Sequence, residues 1–115
     1  MNNNMKRPFK SREVAPAGVY DVDELRTQCR EIGVTPIRSN IRRVRQALDL
    51  LKHGSVAFDH GNQTHEFYWV DSQTCPDTAY RVRKNGRLDC SCSDASQGNQ
   101  CKHQIAVLLF NEQFK

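Results

Sequence analysis

An α+β fold is predicted: two N-terminal helices, a small antiparallel sheet of three to four strands, and a hairpin-plus-helix module closed by clustered cysteine and histidine. Three observations predict it. Apolar residues recur at helical spacing between residues 21 and 53, period-two alternation replaces that spacing after Gly54, and two close Cys/His pairs flank a polar loop near the C-terminus.

Residues 1–18 are polar, basic and broken by Pro8, Pro16 and Gly18, so a mostly disordered arm is expected, made cationic by Lys6, Arg7, Lys10 and Arg12. Residues 19–53 follow as a helical segment. Asp21 and Glu24 have capping-box spacing, Leu25, Cys29 and Ile32 share a face, and Gly33 suits a stop, which predicts a helix over Val22–Ile32. Pro36 biases Thr35 away from the helical region, giving an extended connector. A second helix is expected to start from Ser39 as N-cap, with Ile41, Val44, Leu48 and Leu51 on its apolar stripe and Gly54 beyond its end. Arg38, Arg42 and Arg45 run beside that stripe.

Residues 54–115 form the third unit, with strands predicted at 55–59, 66–70 and 78–83. In the second strand either Phe67 and Trp69 or Tyr68 and Val70 supply the core face. In the third, Tyr80 and Val82 point one way and Arg81 and Arg83 the other. Asn85-Gly86 marks a hairpin turn leading through Leu88 into Cys90-Ser-Cys92. Residues 93–100 read as a loop. A last helix begins near Cys101 and runs through Phe110 or beyond, apolar almost all round and therefore expected to be buried on more than one side.

With 37% apolar and 26% charged residues, hydrophobic burial alone leaves a fold of 115 residues marginal, and a bound metal is the natural supplement. The pairs Cys90-x-Cys92 and Cys101-x-His103 offer four ligands of the type tetrahedral zinc takes. Residues two apart on a strand face one side, so Cys90 and Cys92 can share a metal. Cys101 must sit at or before the first helical turn, where the positive end of the helix dipole favours a thiolate, with His103 inside the helix. Four protein ligands leave no position for a reactive water, so one structural zinc ion is expected. Its formal charge with three thiolates is −1, for Lys102 and Arg87 to offset. The odd total of five cysteines fits metal binding in a reducing compartment better than a disulfide framework. Cys29 then reads as a small apolar residue and Cys75 as a turn residue.

The pattern C-x-C, eight residues, C-x-H, then an apolar helix resembles the SWIM zinc finger. Tyr80-Arg-Val82 is similar to the strand before the cysteines, Cys101-Lys-His103-Gln-Ile-Ala-Val-Leu-Leu109 to the helix opening, and Ala47 to Val56 to the helix, glycine and strand that precede it. The resemblance covers residues 45–112 and implies a zinc-stabilised module that binds DNA or proteins, alone or attached to transposase-like, helicase-like or ubiquitin-ligase-like chains.

The net charge of +4 is unevenly spread: residues 1–53 hold 11 Lys/Arg against 6 Asp/Glu, and residues 54–115 hold 6 against 7. Nucleic acid is therefore the expected partner, contacted by Arg38, Arg42, Arg45, Arg83, Lys84 and Arg87. The stretch from Val22 through Gly33 to Leu48 also resembles helix-loop-helix DNA-binding segments of the SAP and LEM type, although Arg43 stands where that pattern wants an apolar residue. A second reading is a protein-interaction adaptor docking through the apolar C-terminal helix and Phe114, possibly in a mobile-element or recombination complex. No paired carboxylates, nucleophile with a base, or glycine-rich phosphate loop points to an enzyme or a small-molecule substrate. The longest unbroken apolar run is Ile105–Phe110, far short of the ~20 residues that span a bilayer, and the N-terminus lacks a secretory apolar core. An intracellular protein, cytoplasmic or nuclear, is expected.

Overall fold

The computed structural model describes residues 4–5 and 15–113; the cationic stretch from Lys6 to Arg12 and Phe114 lie outside them. The elements run β1 (Asn4–Met5), α1 (Val22–Glu31), α2 (Arg38–Lys52), β2 (Val56–Gly61), β3 (Glu66–Asp71), β4 (Ala79–Lys84), β5 (Leu88–Asp89), α3 (Ser93–Ser96) and α4 (Lys102–Gln113). The antiparallel sheet has the order β1-β4-β3-β2, with β5 pairing β4 beyond β1. The fold is α+β, as the change of hydrophobic period predicts.

Both long N-terminal helices stop on glycine for the same reason. After α1, Gly33 takes φ 77°, its N–H bonds Arg30 C=O and the N–H of Val34 bonds Cys29 C=O. Gly54, at φ 74°, repeats the pattern after α2, with Ser55 N–H bonding Leu50 C=O. Paired bonds of this kind satisfy carbonyls that a helix end leaves open, and the left-handed residue they require favours glycine. The starts are less uniform. Asp21 caps α1, accepting from the Asp23 N–H at 3.4 Å. By contrast α2 begins at Arg38, with Ile37 as N-cap and no side-chain cap, so Ser39 lies inside the helix. The extended conformation carried over from Pro36 ends at Ile37, two residues before the expected cap, and Ile41 N–H bonds Ile37 C=O at 2.8 Å.

The expected stripe on α2 is rotated slightly. Val44, Ala47 and Leu50 are fully buried, while Ile41, Leu48 and Leu51 are half-buried at its margins. On β3 the open choice resolves to Tyr68 and Val70, which join Val56 and Val82 beneath the helices. Their neighbours across β4 are Val82 and Tyr80, whereas Phe67 and Trp69 pair with Arg83 and Arg81 on the opposite face. There the Arg81 guanidinium sits 4.8 Å from the Phe67 ring centroid and bonds Asp59 Oδ2 at 3.0 Å. The register of β2 shifts between Phe58 and His60, placing Asp59 in a bulge.

Helix α4 is the centre of the molecule. It packs on α2 on one side and on β2, β3 and β4 on the other, and α1 packs on α2. Ile105, Ala106 and Val107 are therefore fully buried and Leu109 nearly so, as all-round apolarity predicts. At roughly 2–3 kcal/mol for each large side chain, burial of Ile105, Val107 and Leu109 fixes the helix that carries the second Cys/His pair.

Candidate metal centre

The β4–β5 hairpin delivers the first pair. Lys84 pairs with Leu88, leaving Asn85-Gly86-Arg87 as a three-residue loop with only Gly86 at positive φ (71°). Asn85 stays outside the left-handed region and its N–H bonds Arg87 C=O at 2.8 Å, so this is a longer hairpin loop with Gly86 at its tip rather than a two-residue Asn-Gly turn. Cys90 and Cys92 follow directly, and Cys92 is the N-cap of α3. That short helix occupies part of the stretch expected to be loop.

Cys101 lies one residue before α4, as the divergence of positions i and i+2 in a helix requires. Its Sγ accepts the Gln104 N–H at 3.4 Å while Gln104 Oε1 accepts the Cys101 N–H at 3.2 Å. This is the reciprocal logic of a capping box, with a sulfur in place of the hydroxyl. Gln104 also donates through Nε2 to Leu88 C=O at 3.1 Å, tying the helix start to the hairpin.

The four donor atoms of Cys90, Cys92, Cys101 and His103 lie within 4.8 Å of one another. Zn–S distances near ~2.3 Å and Zn–N near ~2.0 Å give a tetrahedron with edges of about 3.5–3.8 Å. Cys90 Sγ lies 3.7 Å from His103 Nδ1, inside that range. His103 Nε2 is buried with no hydrogen-bond partner among the described residues, and the Tyr80 ring covers the imidazole at 4.4 Å between centroids. Packing therefore orients the ring, with Nδ1 toward the sulfurs. Three thiols this close cannot ionise independently. Hydrogen bonds from Cys101 and Cys90 hold the Cys92 thiol well below its ordinary range, and contacts with Cys101 and Cys92 push Cys90 up. A dication at the centre takes the place of the shared protons. The donor set, its spacing and its burial fit one structural zinc ion, which Cys90 Sγ, Cys92 Sγ, Cys101 Sγ and His103 Nδ1 would hold. No other group of three or more His, Cys, Asp or Glu among the described residues has metal-binding geometry.

One clamp had no signal in the sequence. Arg43, on α2, reaches α3 and binds Asp94 bidentately at 2.8 and 2.9 Å, with a third bond to Asn40 Oδ1 at 2.9 Å. Its hydrogen bonds hold the Asp94 carboxyl below the usual range, helped by Asn99. An arginine at an otherwise apolar position of α2 thus fastens the helical segment to the loop between the ligand pairs. Of the two cations expected to balance the cluster, Lys102 is half-buried: burial pulls its ammonium down, against the attraction of Cys92 and Cys101. Arg43 also feels the Cys101 charge. Arg87 instead lies exposed in the hairpin loop.

The six residues expected to meet nucleic acid fall into two groups. Arg83 bonds Asp89 at 2.6 Å and Lys84 lies 3.8 Å from Glu66. Arg38, Arg42, Arg45 and Arg87 are exposed and meet no carboxylate within ion-pair distance among the described residues. The first three share α2. No described helix is long and apolar enough to cross a membrane.

Residues 74–111 match the family model of the SWIM zinc finger, a span from the β3–β4 loop to the last turns of α4 that contains all four donors; the likeness read for residues 45–73 lies outside it. No curated protein and no solved structure matches the chain. The match and the clustered donors together identify residues 74–111 as a SWIM zinc finger, built to take one structural zinc ion.

Proposed function

We propose that the chain is a non-catalytic, zinc-stapled module that binds nucleic acid through phosphate contacts, as a small regulatory or accessory factor. The observation that carries this reading is the set of exposed arginines Arg38, Arg42 and Arg45 on α2, unpaired among the described residues, on the helix that Arg43 clamps to the zinc finger. Residues 19–53 supply the cations and residues 54–115 the scaffold, with the basic arm of residues 1–18 adding charge. Arg87 extends the surface, while Arg83 and Lys84 contribute less because each already faces a carboxylate. A zinc ion with four protein ligands has no open position for a substrate or a reactive water, which supports a binding role over catalysis.

The test is binding of the zinc-loaded chain to duplex and single-stranded DNA across a salt series. Three phosphate contacts give a log–log slope of roughly −2.7 on duplex, or about 40-fold weaker binding between 50 and 200 mM salt. Affinity no tighter than that of a neutral control protein, or insensitive to salt, overturns the proposal. The adaptor reading has less support. Ile105, Ala106, Val107 and Leu109 are spent on the core, leaving only Leu108 and Phe110 half-buried on that stretch of α4. The exposed large apolar residues Val19, Val22, Ile37 and Phe58 lie on separate segments rather than on α4.

A further inference from the structure

We infer that the cavity between α2, the β3–β4 loop and the first turn of α4 is a phosphate-binding subsite, which takes the phosphate of a nucleic-acid backbone or of a free phosphomonoester. It rests on the nucleic-acid reading only for the source of the phosphate. The cavity holds about 340 Å³, and Arg42, Thr74, Ser93 and Lys102 are among the residues that line it, beside three of the four metal ligands, Cys92, Cys101 and His103.

Charge decides what such a space takes. The acid in its wall, Asp94, is already bound by both arms of the Arg43 guanidinium. Arg42 and Lys102 are left, brought together from distant parts of the chain, and neither has an ion-pair partner among the described residues. Two like charges facing one space repel, and an anion between them turns that repulsion into attraction. The zinc ion with three thiolates carries a formal −1, which these two cations outweigh. The start of α4 adds the partial positive charge of a helix N-terminus. Thr74 and Ser93 offer hydroxyls at the wall; Ser72 Oγ accepts the Thr74 and Cys75 N–H groups and lies 3.2 Å from Thr74 Oγ1, an arrangement in which the Ser72 O–H points to Thr74 and leaves the Thr74 O–H to donate. A mostly polar lining that carries these cations and hydroxyls suits a compact oxyanion better than an apolar ligand.

The experiment uses the zinc-loaded full chain with three probes: inorganic phosphate, a nucleoside 5′-monophosphate and a mixed-sequence duplex. Amide shifts at Thr74 and Lys102 are followed by NMR for the first two, and affinity against salt for the third. Arg42→Gln and Lys102→Gln should each abolish the phosphate-induced shifts, weaken duplex binding about tenfold at low salt and reduce the salt slope by about 0.9. Arg30→Gln, on α1 and outside the cavity, should leave the phosphate shifts intact. Because Lys102 lies between two ligands, zinc content is checked in each variant, and Arg42→Gln alone carries the comparison if Lys102→Gln releases the metal. Absence of phosphate shifts at Thr74 and Lys102 in the unaltered chain, or their persistence in Arg42→Gln, overturns the subsite even if duplex still binds; the nucleic-acid reading then stands without it. Phosphate shifts there without any duplex binding uphold the subsite, assign it to a free phosphate and overturn the nucleic-acid reading.

Discussion

Replacing Arg43 with methionine, which keeps an apolar stem of similar length, removes the guanidinium that joins α2 to α3. The Arg43 side chain is 12% exposed and that of Asp94 37%, so the pair lies between the two usual cases. Exposed pairs contribute about 0–1 kcal/mol, whereas breaking a buried pair costs about 3–5 kcal/mol. With two bonds to Asp94 and one to Asn40, a loss of about 2 kcal/mol is expected. Asp94 keeps its bond from Asn99 Nδ2 and some contact with water, which holds the cost below the buried limit. The assay is urea unfolding of the zinc-loaded chain at fixed zinc concentration, where the midpoint should fall by about 1 M or more with the slope unchanged. Asp94→Asn and the double variant complete a cycle with a coupling of about 1.5 kcal/mol. A loss below about 0.5 kcal/mol, or strictly additive effects, would mean that the clamp does not join the helical segment to the zinc finger.

Other consequences can be measured separately. Ile105→Ala, at a fully buried position of α4, should cost about 3 kcal/mol in denaturant unfolding and loosen the helix that presents Cys101 and His103. Tyr20 and Tyr68 should titrate late: burial, followed by the hydrogen bonds to Asp49 and Glu66, pushes both phenols up to about 12. A raised folded value means that their contribution to stability is complete below about pH 10, the unfolded phenol value, and is lost as pH rises toward 12. Phenolate absorbance should show Tyr20 and Tyr68 ionising well above pH 10, with Tyr80 also raised by burial, and Asp49→Asn should lower the Tyr20 midpoint selectively.

Features whose causes are local were legible in the sequence. Gly33 and Gly54 mark helix ends because the left-handed residue and its two hydrogen bonds lie within a few positions of each other. The donors of the metal centre come as two close pairs, each carried by its own strand end or helix start, so spacing alone exposes them. Features whose causes lie across the fold were not legible. Ser93–Ser96 has no apolar period to announce a helix, and its neighbour in space is Arg43, a residue of α2 that reads by itself as part of a solvated arginine face. Gln104 looks like an ordinary helix-surface residue until its bonds to Cys101 and Leu88 are seen. Every residue from Phe67 to Val70 is apolar or aromatic, so β3 shows no alternation; the pairing of Tyr68 with Val82 selects its inner face.

A zinc ion bound by Cys90, Cys92, Cys101 and His103 would hold the hairpin against α4. The ratio of zinc to folded chain, determined by atomic absorption on the purified protein before and after a strong chelator, tests it most directly. About one zinc per chain is predicted, with its removal accompanied by loss of the α4 circular-dichroism signal, since structural sites can contribute ~10 kcal/mol or more. A chain that keeps that signal while holding no zinc would show that the hairpin and α4 stay together without the metal.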